Sequence, residues 1–545
     1  MAGNNNNRLI RKDVENLTED ERDKLVFAFY KLQQEHPGMP SDLNENSFYV
    51  IAGYHGQPFR GGGDVAIPYW NEFMDAGVPC IFTQKTYTFS ANFPKASDIN
   101  RGDIKSNDSN GVTIDNPLFS YRLQQGFYDK LARTSTNGKG TTKRIDYSKH
   151  KDYETTNVKA WLFKPSSDNV PVPGMSELYM RAAKLAPNYT VFSNTTSAAK
   201  WNDDNFAGQD YSKTDLAVAL EKPHNGVHLA VGGYSLPNKD LNRPTFAFAN
   251  GDMGENDTAA FDPIFFFHHC FVDYVFWLWQ KNYGATEKLT IIDDYPGTSP
   301  IDNQGPTPFT PADSRLSMET PLVPFKNDKN IYLKSEDVVN IREYGYDYQD
   351  AEPPSPIPPV LLPPQMEAVS AKKAWSGGDT ALPVVRLSGI SRAHRQGSFV
   401  VGVWAKPKKA SEEKNVLVGI EPVFSRWHVP SCANCRNTLE LTTHMELPPR
   451  LEVHKENNTT LAKIEPAERL EHAKELEFTI RVLENTNRDA SGDKKPTIME
   501  FAIVKAAEHE PSKAWNVPDN TLDLGPTIEV MPAIGGFVGV SYQVI

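Results

Sequence analysis

A chain of 545 residues is longer than one hydrophobic core usually organises, so at least two domains are expected, and 39% hydrophobic residues are ample for their cores. A net charge of -12 with a pI near 5.6 argues against nucleic acid or an anionic membrane surface as the main partner. The opening MAGNNNNRLIRKDVEN lacks the apolar run of a secretory signal, and no stretch is long and apolar enough to span a bilayer. Four cysteines (Cys80, Cys270, Cys432, Cys435) are too few for a disulfide framework, and a cytoplasmic protein is expected.

In chain order, Thr18-Glu-Asp-Glu21 reads as a capping box that opens an amphipathic helix through Leu25, Val26, Phe29 and Leu32. Next comes Ser47-Phe-Tyr-Val-Ile-Ala-Gly-Tyr-His55, in which His55 taken alone is an ordinary partly buried histidine. Pro58-Phe-Arg-Gly-Gly-Gly63 runs directly into Asp64 and then Ile67-Pro-Tyr-Trp-Asn71. From Tyr87 to Leu220 loops and short elements are expected to wrap the core, with charge clusters such as Lys143-Arg144 on the solvated surface.

Chemistry enters at Glu221-Lys-Pro-His-Asn-Gly-Val-His228, where His224 and His228 stand at i and i+4 on one helical face. That spacing suits chelation of one metal, and imidazoles with no thiolate nearby leave copper and zinc as the main candidates. A second histidine pair lies in DPIFFFHHCFVDYVFWLWQ, residues 262–280. Asp262 reads as an N-cap, Pro263 as a first-turn residue and Gly284 as a stop, which predicts a helix of about five turns. Being apolar on nearly every face, it belongs at the centre of a bundle, where His268, His269 and Asp273 must find partners.

Further on, Pro353-Pro-Ser-Pro-Ile-Pro-Pro-Val-Leu-Leu-Pro-Pro364 reads as an extended linker. Strand-like alternation follows at 398–404, 416–420, 476–482 and 498–504, which predicts a β-sandwich. Cys432-Ala-Asn-Cys435 is a lone CxxC, open to a redox pair, half a zinc site or a soft copper(I) site, and the lack of a second CxxC argues against a structural zinc.

His224-Asn-Gly-Val-His228 followed by Phe261-Asp-Pro-Ile-Phe-Phe-Phe-His-His-Cys-Phe-Val-Asp273 resembles the second copper site of the type-3 copper proteins, most closely the fungal-type tyrosinases. The resemblance implies that His224, His228 and His269 hold one copper, with His269 chosen because it stands four residues before Asp273, as the family ligand does. His268 and Asp273 would then lie beside the ligands, and Phe265 would pack against the imidazoles. Glu221 and Asn225 match the pair that holds the water deprotonating a phenol. Ile341-Arg-Glu-Tyr-Gly-Tyr-Asp-Tyr348 is similar to the marker that ends the family's catalytic domain. The implied plan is mainly α: a copper-binding helical bundle with long loops over residues 1–350, a proline-rich linker over 351–366, and a smaller C-terminal β-sandwich over 367–545. That last domain would cover the site, with Phe424 as its plug, and the pair Cys432 and Cys435 would serve copper loading.

Against the family pattern, only His55 matches a ligand of the other copper. After Gly63 the family continues with a Cys-x-His pair and a helix carrying Pro-Thr-Trp-His-Arg; this chain lacks both, and His36 and His150 stand in no matching context. The family uses two coppers to oxidise phenols and catechols to o-quinones with dioxygen, in melanin-type pigment formation. For this chain a degenerate single-copper relative, or a gene product lacking one internal segment, are the alternatives, with a hemocyanin-like oxygen carrier as a third. The sequence sets no oligomeric state.

Overall fold

A computed structural model describes residues 8–34, 48–53, 66–74, 77–91, 93–123, 142, 144, 153–163, 172–206, 216–234, 236, 251–296, 311, 314–327, 329–349, 382–392, 397–408, 410–411, 415–426, 439–448, 450–454, 459–465, 468–484, 498–505, 527–531 and 539–544. His36, His55, His150, Cys432, Cys435 and the proline-rich stretch lie outside these residues.

Thr18 and Glu21 form the expected capping box: the Thr18 N–H donates to the Glu21 carboxylate at 2.9 Å, and the Glu21 N–H to Thr18 Oγ1 at 3.3 Å. The helix they open, Glu19–Gln34, buries Leu25, Val26, Phe29 and Tyr30. Phe29 stacks on Phe267 at 5.5 Å between ring centroids, which brings this helix against the central one, Ile264–Tyr283. The central helix starts where Asp262 Oδ1 accepts the Ile264 N–H at 3.2 Å, and it stops at Gly284, whose φ of 64° a residue with a Cβ rarely adopts. Ile264, Phe265, Phe267, Phe271, Val275 and Trp277 are all buried along it. Rings from several other elements surround it, including Phe82, Phe73 and Phe192. The backbone of Ile67-Pro-Tyr-Trp-Asn71 docks onto it through the Trp70 N–H, which donates to the Phe267 carbonyl at 3.1 Å.

Two expectations need correction. Arg144, placed on the solvated surface from sequence, is 3% exposed and clasps both carboxylate oxygens of Asp262 at 2.7–3.0 Å, while also donating to the carbonyls of Leu118 and Phe82. Its planar, five-donor guanidinium can satisfy several acceptors at once, which a tertiary fold exploits and a local charge pattern does not reveal. The stretch expected to be short wrapping elements also holds sustained helices, Tyr153–Phe163, Met175–Leu185 and Thr195–Phe206, beside a three-stranded sheet. Val158, Trp161 and Leu162 are buried in the first of them at i, i+3 and i+4, a helical face that polar flanks had obscured.

At the chain's start, Leu9–Arg11 pairs in parallel with Tyr346–Tyr348. Arg11 is buried there and donates to Asp273 at 3.3 Å and to the Tyr348 hydroxyl at 3.2 Å.

All four predicted C-terminal strands form, within one eight-stranded antiparallel sheet. Its spatial order is Val416–Val423, Phe399–Pro407, Leu476–Glu484, Ile498–Lys505, Gly539–Val544, Thr527–Met531, Val384–Ser391 and Glu440–Glu446. Phe399–Pro407 is buried at every position. Because side chains alternate across a strand, Val401 and Val403 join the sheet's own core while Val400 and Trp404 join the core of the helical part. Helices and sheets thus share the fold. No helix among the described residues is long and apolar enough to cross a membrane.

Where sheet meets helices, ion pairs rim the contact. Lys222 binds Glu421 at 2.7 Å, Arg181 reaches Glu446 at 3.4 Å, and Asp203 receives Arg386 at 2.6 Å and His444 at 2.9 Å. Burial alone would raise the Asp203 carboxyl, but the hydrogen bonds from His444 and Arg386 outweigh it and hold the group down to about 2, from an ordinary 3.8. A carboxyl depressed on folding contributes stability above its ordinary value and loses it as pH falls through the folded one. The stability advantage of the natural chain over Asp203→Asn should therefore be full above about pH 4, shrink below that, and vanish near pH 2; parallel thermal melts across this window measure it, and a pH-independent difference would refute the assignment.

Candidate metal centre

The helix Glu221–Val231 places His224 and His228 one turn apart, facing His269 on the central helix. Their Nε2 atoms form a triangle with sides of 3.1 Å (His224 to His228), 3.4 Å (His224 to His269) and 3.3 Å (His228 to His269). His224 Nδ1 meets Asn225 Oδ1 at 3.0 Å and His228 Nδ1 meets the Met253 carbonyl at 2.9 Å. Each oxygen accepts an N–H, so the Nδ1 positions carry the protons and the Nε2 positions are left as lone pairs. Burial holds His224 below its ordinary range, and burial together with the neighbouring histidines holds His228 well below it, which keeps both rings neutral.

The facing Nε2 lone pairs of His224 and His228 cannot hydrogen-bond to each other. They are what a cation needs: nitrogens each about 2.0–2.1 Å from one ion lie about 3.3–3.6 Å apart. The donor set, all imidazole, fits copper as well as zinc.

Backbone packing sets one of these anchors. A Cβ on Gly232 would stand 2.3 Å from the Cα of Gly254, so the two glycines let the 252–254 turn lie against the helix end and bring the Met253 carbonyl to His228. Gly232→Ala should push this turn away and lower metal affinity about 10- to 100-fold, the usual effect of losing a ligand's outer hydrogen bond. Calorimetric titration with zinc checks it, and unchanged affinity would show that the turn does not orient the ring.

Around the triangle, Phe265 stacks on His269 with centroids 4.0 Å apart, and Phe424, just past the strand Val416–Val423, stacks on His228 at 4.1 Å and meets His224 edge-on at 6.2 Å. Glu221 Oε2 accepts the Thr195 N–H at 2.7 Å and its hydroxyl at 3.0 Å. Asp273 accepts from Arg11, from Tyr346 at 3.0 Å and from Tyr348 at 2.5 Å, tying the central helix to the Leu9–Arg11 and Tyr346–Tyr348 strand pair. His268 is fully buried, with Nδ1 2.5 Å from Glu72 Oε1. Glu72 was missed in the sequence, although a lone carboxylate in the apolar run Ile67-Pro-Tyr-Trp-Asn-Glu-Phe73 was the available signal.

Comparison with known proteins agrees with this geometry. The common central domain of tyrosinase matches residues 45–282, a span that includes His224, His228, His268 and His269. A tyrosinase of Aspergillus oryzae is 32% identical, the alignment covering 80% of this chain and 88% of that protein, and a tyrosinase of a Hahella species is 34% identical, covering 78% and 84%. The solved tyrosinase of Burkholderia thailandensis at low pH superposes with a TM-score of 0.63 at 28% identity, over 90% of this chain and 99% of that one. With its histidine triangle inside the matched region and relatives aligned along most of its length, the chain belongs to the tyrosinase family.

Proposed function

We propose that the function seated here is copper-dependent oxidation of phenols and catechols to o-quinones with dioxygen, and that the chain as it stands holds one of the two copper sites the family uses. The triangle of Nε2 atoms at 3.1–3.4 Å carries the reading. His224, His228 and His269 would hold the ion, each as a neutral imidazole. Copper supplies one electron per ion to the two-electron reduction of dioxygen that accompanies ring oxidation, so turnover needs both sites. Phe265 keeps the His269 ring in plane by stacking on it. Thr195 orients the Glu221 carboxylate, which with Asn225 would take the phenol proton through a water.

Residues 1–350 would carry the chemistry and 367–545 would cover it, joined by 351–366. In support, the long C-terminal strands form one eight-stranded antiparallel sheet whose outermost strands, Val416–Val423 and Glu440–Glu446, meet through Thr443 Oγ1, which donates to Glu421 at 2.7 Å. Phe424 would be the plug, because its ring occupies the open face of His228. Phe424→Ala should speed removal of bound copper by a chelator severalfold; an unchanged rate would sink the covering role.

A second reading, a single-copper protein without turnover, is favoured by the departure after Gly63, since among the family's first-site positions only His55 is present. One comparison separates the two. The chain as it stands should bind one copper and give no oxygen uptake with a catechol, while a chain with the family's Cys-x-His and Pro-Thr-Trp-His-Arg segment restored between Gly63 and Asp64 should bind two and take up oxygen. A restored chain that binds two coppers yet stays inert would overturn the oxidase reading.

A further inference from the structure

The segment that lays Phe424 over His228 is gripped on both sides of the ring. Upstream, Glu421 is buried and takes the Lys222 ammonium at 2.7 Å as well as the Thr443 hydroxyl. Downstream, the Ser425 N–H donates to Ser398 Oγ at 3.2 Å, and the Ser398 carbonyl accepts the Tyr234 hydroxyl at 2.8 Å. Ser398, Ser425 and Tyr234 are all buried. Lys222 lies in the first turn of the helix Glu221–Val231, and Tyr234 shortly past its end. Tyr234 is itself fixed, since its N–H donates to the Leu229 carbonyl at 2.9 Å and its carbonyl accepts Trp161 Nε1 at 2.9 Å. The helix that carries His224 and His228 therefore holds the covering segment at both of its ends.

Apolar packing joins the same surfaces. The helix Glu221–Val231 lies directly on the strand Val416–Val423. Val400, Trp404, Leu417 and Ile420 of the sheet share one buried core with Val227 and Val231 of that helix. An interface that resembles a domain core cut in half is the mark of permanent association. A lid held on by its tether alone would leave such a face exposed each time it opened.

We propose that the C-terminal sheet is a clamped cover, held over the site by the Lys222–Glu421 and Tyr234–Ser398 contacts and by the shared core, so that cutting the chain at 351–366 leaves the site covered. The inference rests on the reading of Phe424 as the cover of the histidine triangle, and it names how that cover is regulated. Scission alone does not uncover the site; uncovering requires the two anchors to break.

The test places a specific protease site within residues 353–364 of the full chain, free of metal, and compares cut with intact protein. Size-exclusion chromatography reads association, and hydrogen exchange of peptides spanning 421–426 reads local opening. Both fragments should elute together at the position of the intact chain, with exchange unchanged by the cut. Tyr234→Phe should speed exchange about fivefold, the ordinary worth of one neutral hydrogen bond, and Glu421→Gln about tenfold or more, in cut and intact protein alike. Tyr234→Phe keeps the buried ring, so it decides the matter if Glu421→Gln does not fold, as judged by circular dichroism. Fragments that separate, or exchange that jumps on cutting, would overturn the clamp. Unchanged exchange in folded variants would overturn the two anchors. Neither readout involves a metal, so a chain that binds no copper would sink the oxidase reading and leave the result for the clamp standing.

Discussion

Three imidazole Nε2 atoms stand 3.1–3.4 Å apart, the facing lone pairs of His224 and His228 repel, and the surrounding architecture is what keeps them there. Two helices must cross so that residues one turn apart on one meet a single residue on the other. The Met253 carbonyl and the Asn225 side chain then set where the protons sit. The repulsion is relieved when a cation replaces the missing hydrogens, so the apolar walls store a binding preference. Phe265 and Phe424 each cover a face of one of these rings, beside the ring-rich central helix.

Holding that crossing in place takes polar contacts as well as apolar ones. Arg144 clasps Asp262 at the beginning of the central helix, and Arg11 with Tyr346 and Tyr348 clasps Asp273 in its middle. Breaking a buried pair by removing one partner typically costs about 3–5 kcal/mol. Both clamps reach far along the sequence, which ties the Leu9–Arg11 and Tyr346–Tyr348 strands to the central helix.

The C-terminal sheet is part of the same solid. Phe399–Pro407 has no solvated face, because one set of its side chains packs within the sheet and the other against the helices. Lys222, two residues before His224, reaches across to Glu421 on the strand that leads to Phe424. The position of Phe424 over His228 is therefore coupled through an ion pair to the helix that carries His224 and His228.

Much of this was legible from residue order. The HxxxH spacing, the apolar helix with its paired histidines, the capping box at Thr18 and the alternating strands rest on local periodicity, and local periodicity survives folding. Their resemblance to tyrosinases implied the copper, and the histidines and aromatic rings it pointed to stand side by side in the fold. Arg144 and Glu72 were not legible. Each is a charged residue whose burial depends on a partner more than a hundred positions away, Asp262 for one and His268 for the other. Nothing in a window of sequence distinguishes such a group from a solvated one. The sequence by itself determined which residues could bind a metal, since donor chemistry and helical spacing are properties of the chain. Only the tertiary structure decided which nitrogens carry protons and which face the cluster, because those depend on carbonyls and carboxylates delivered by distant segments.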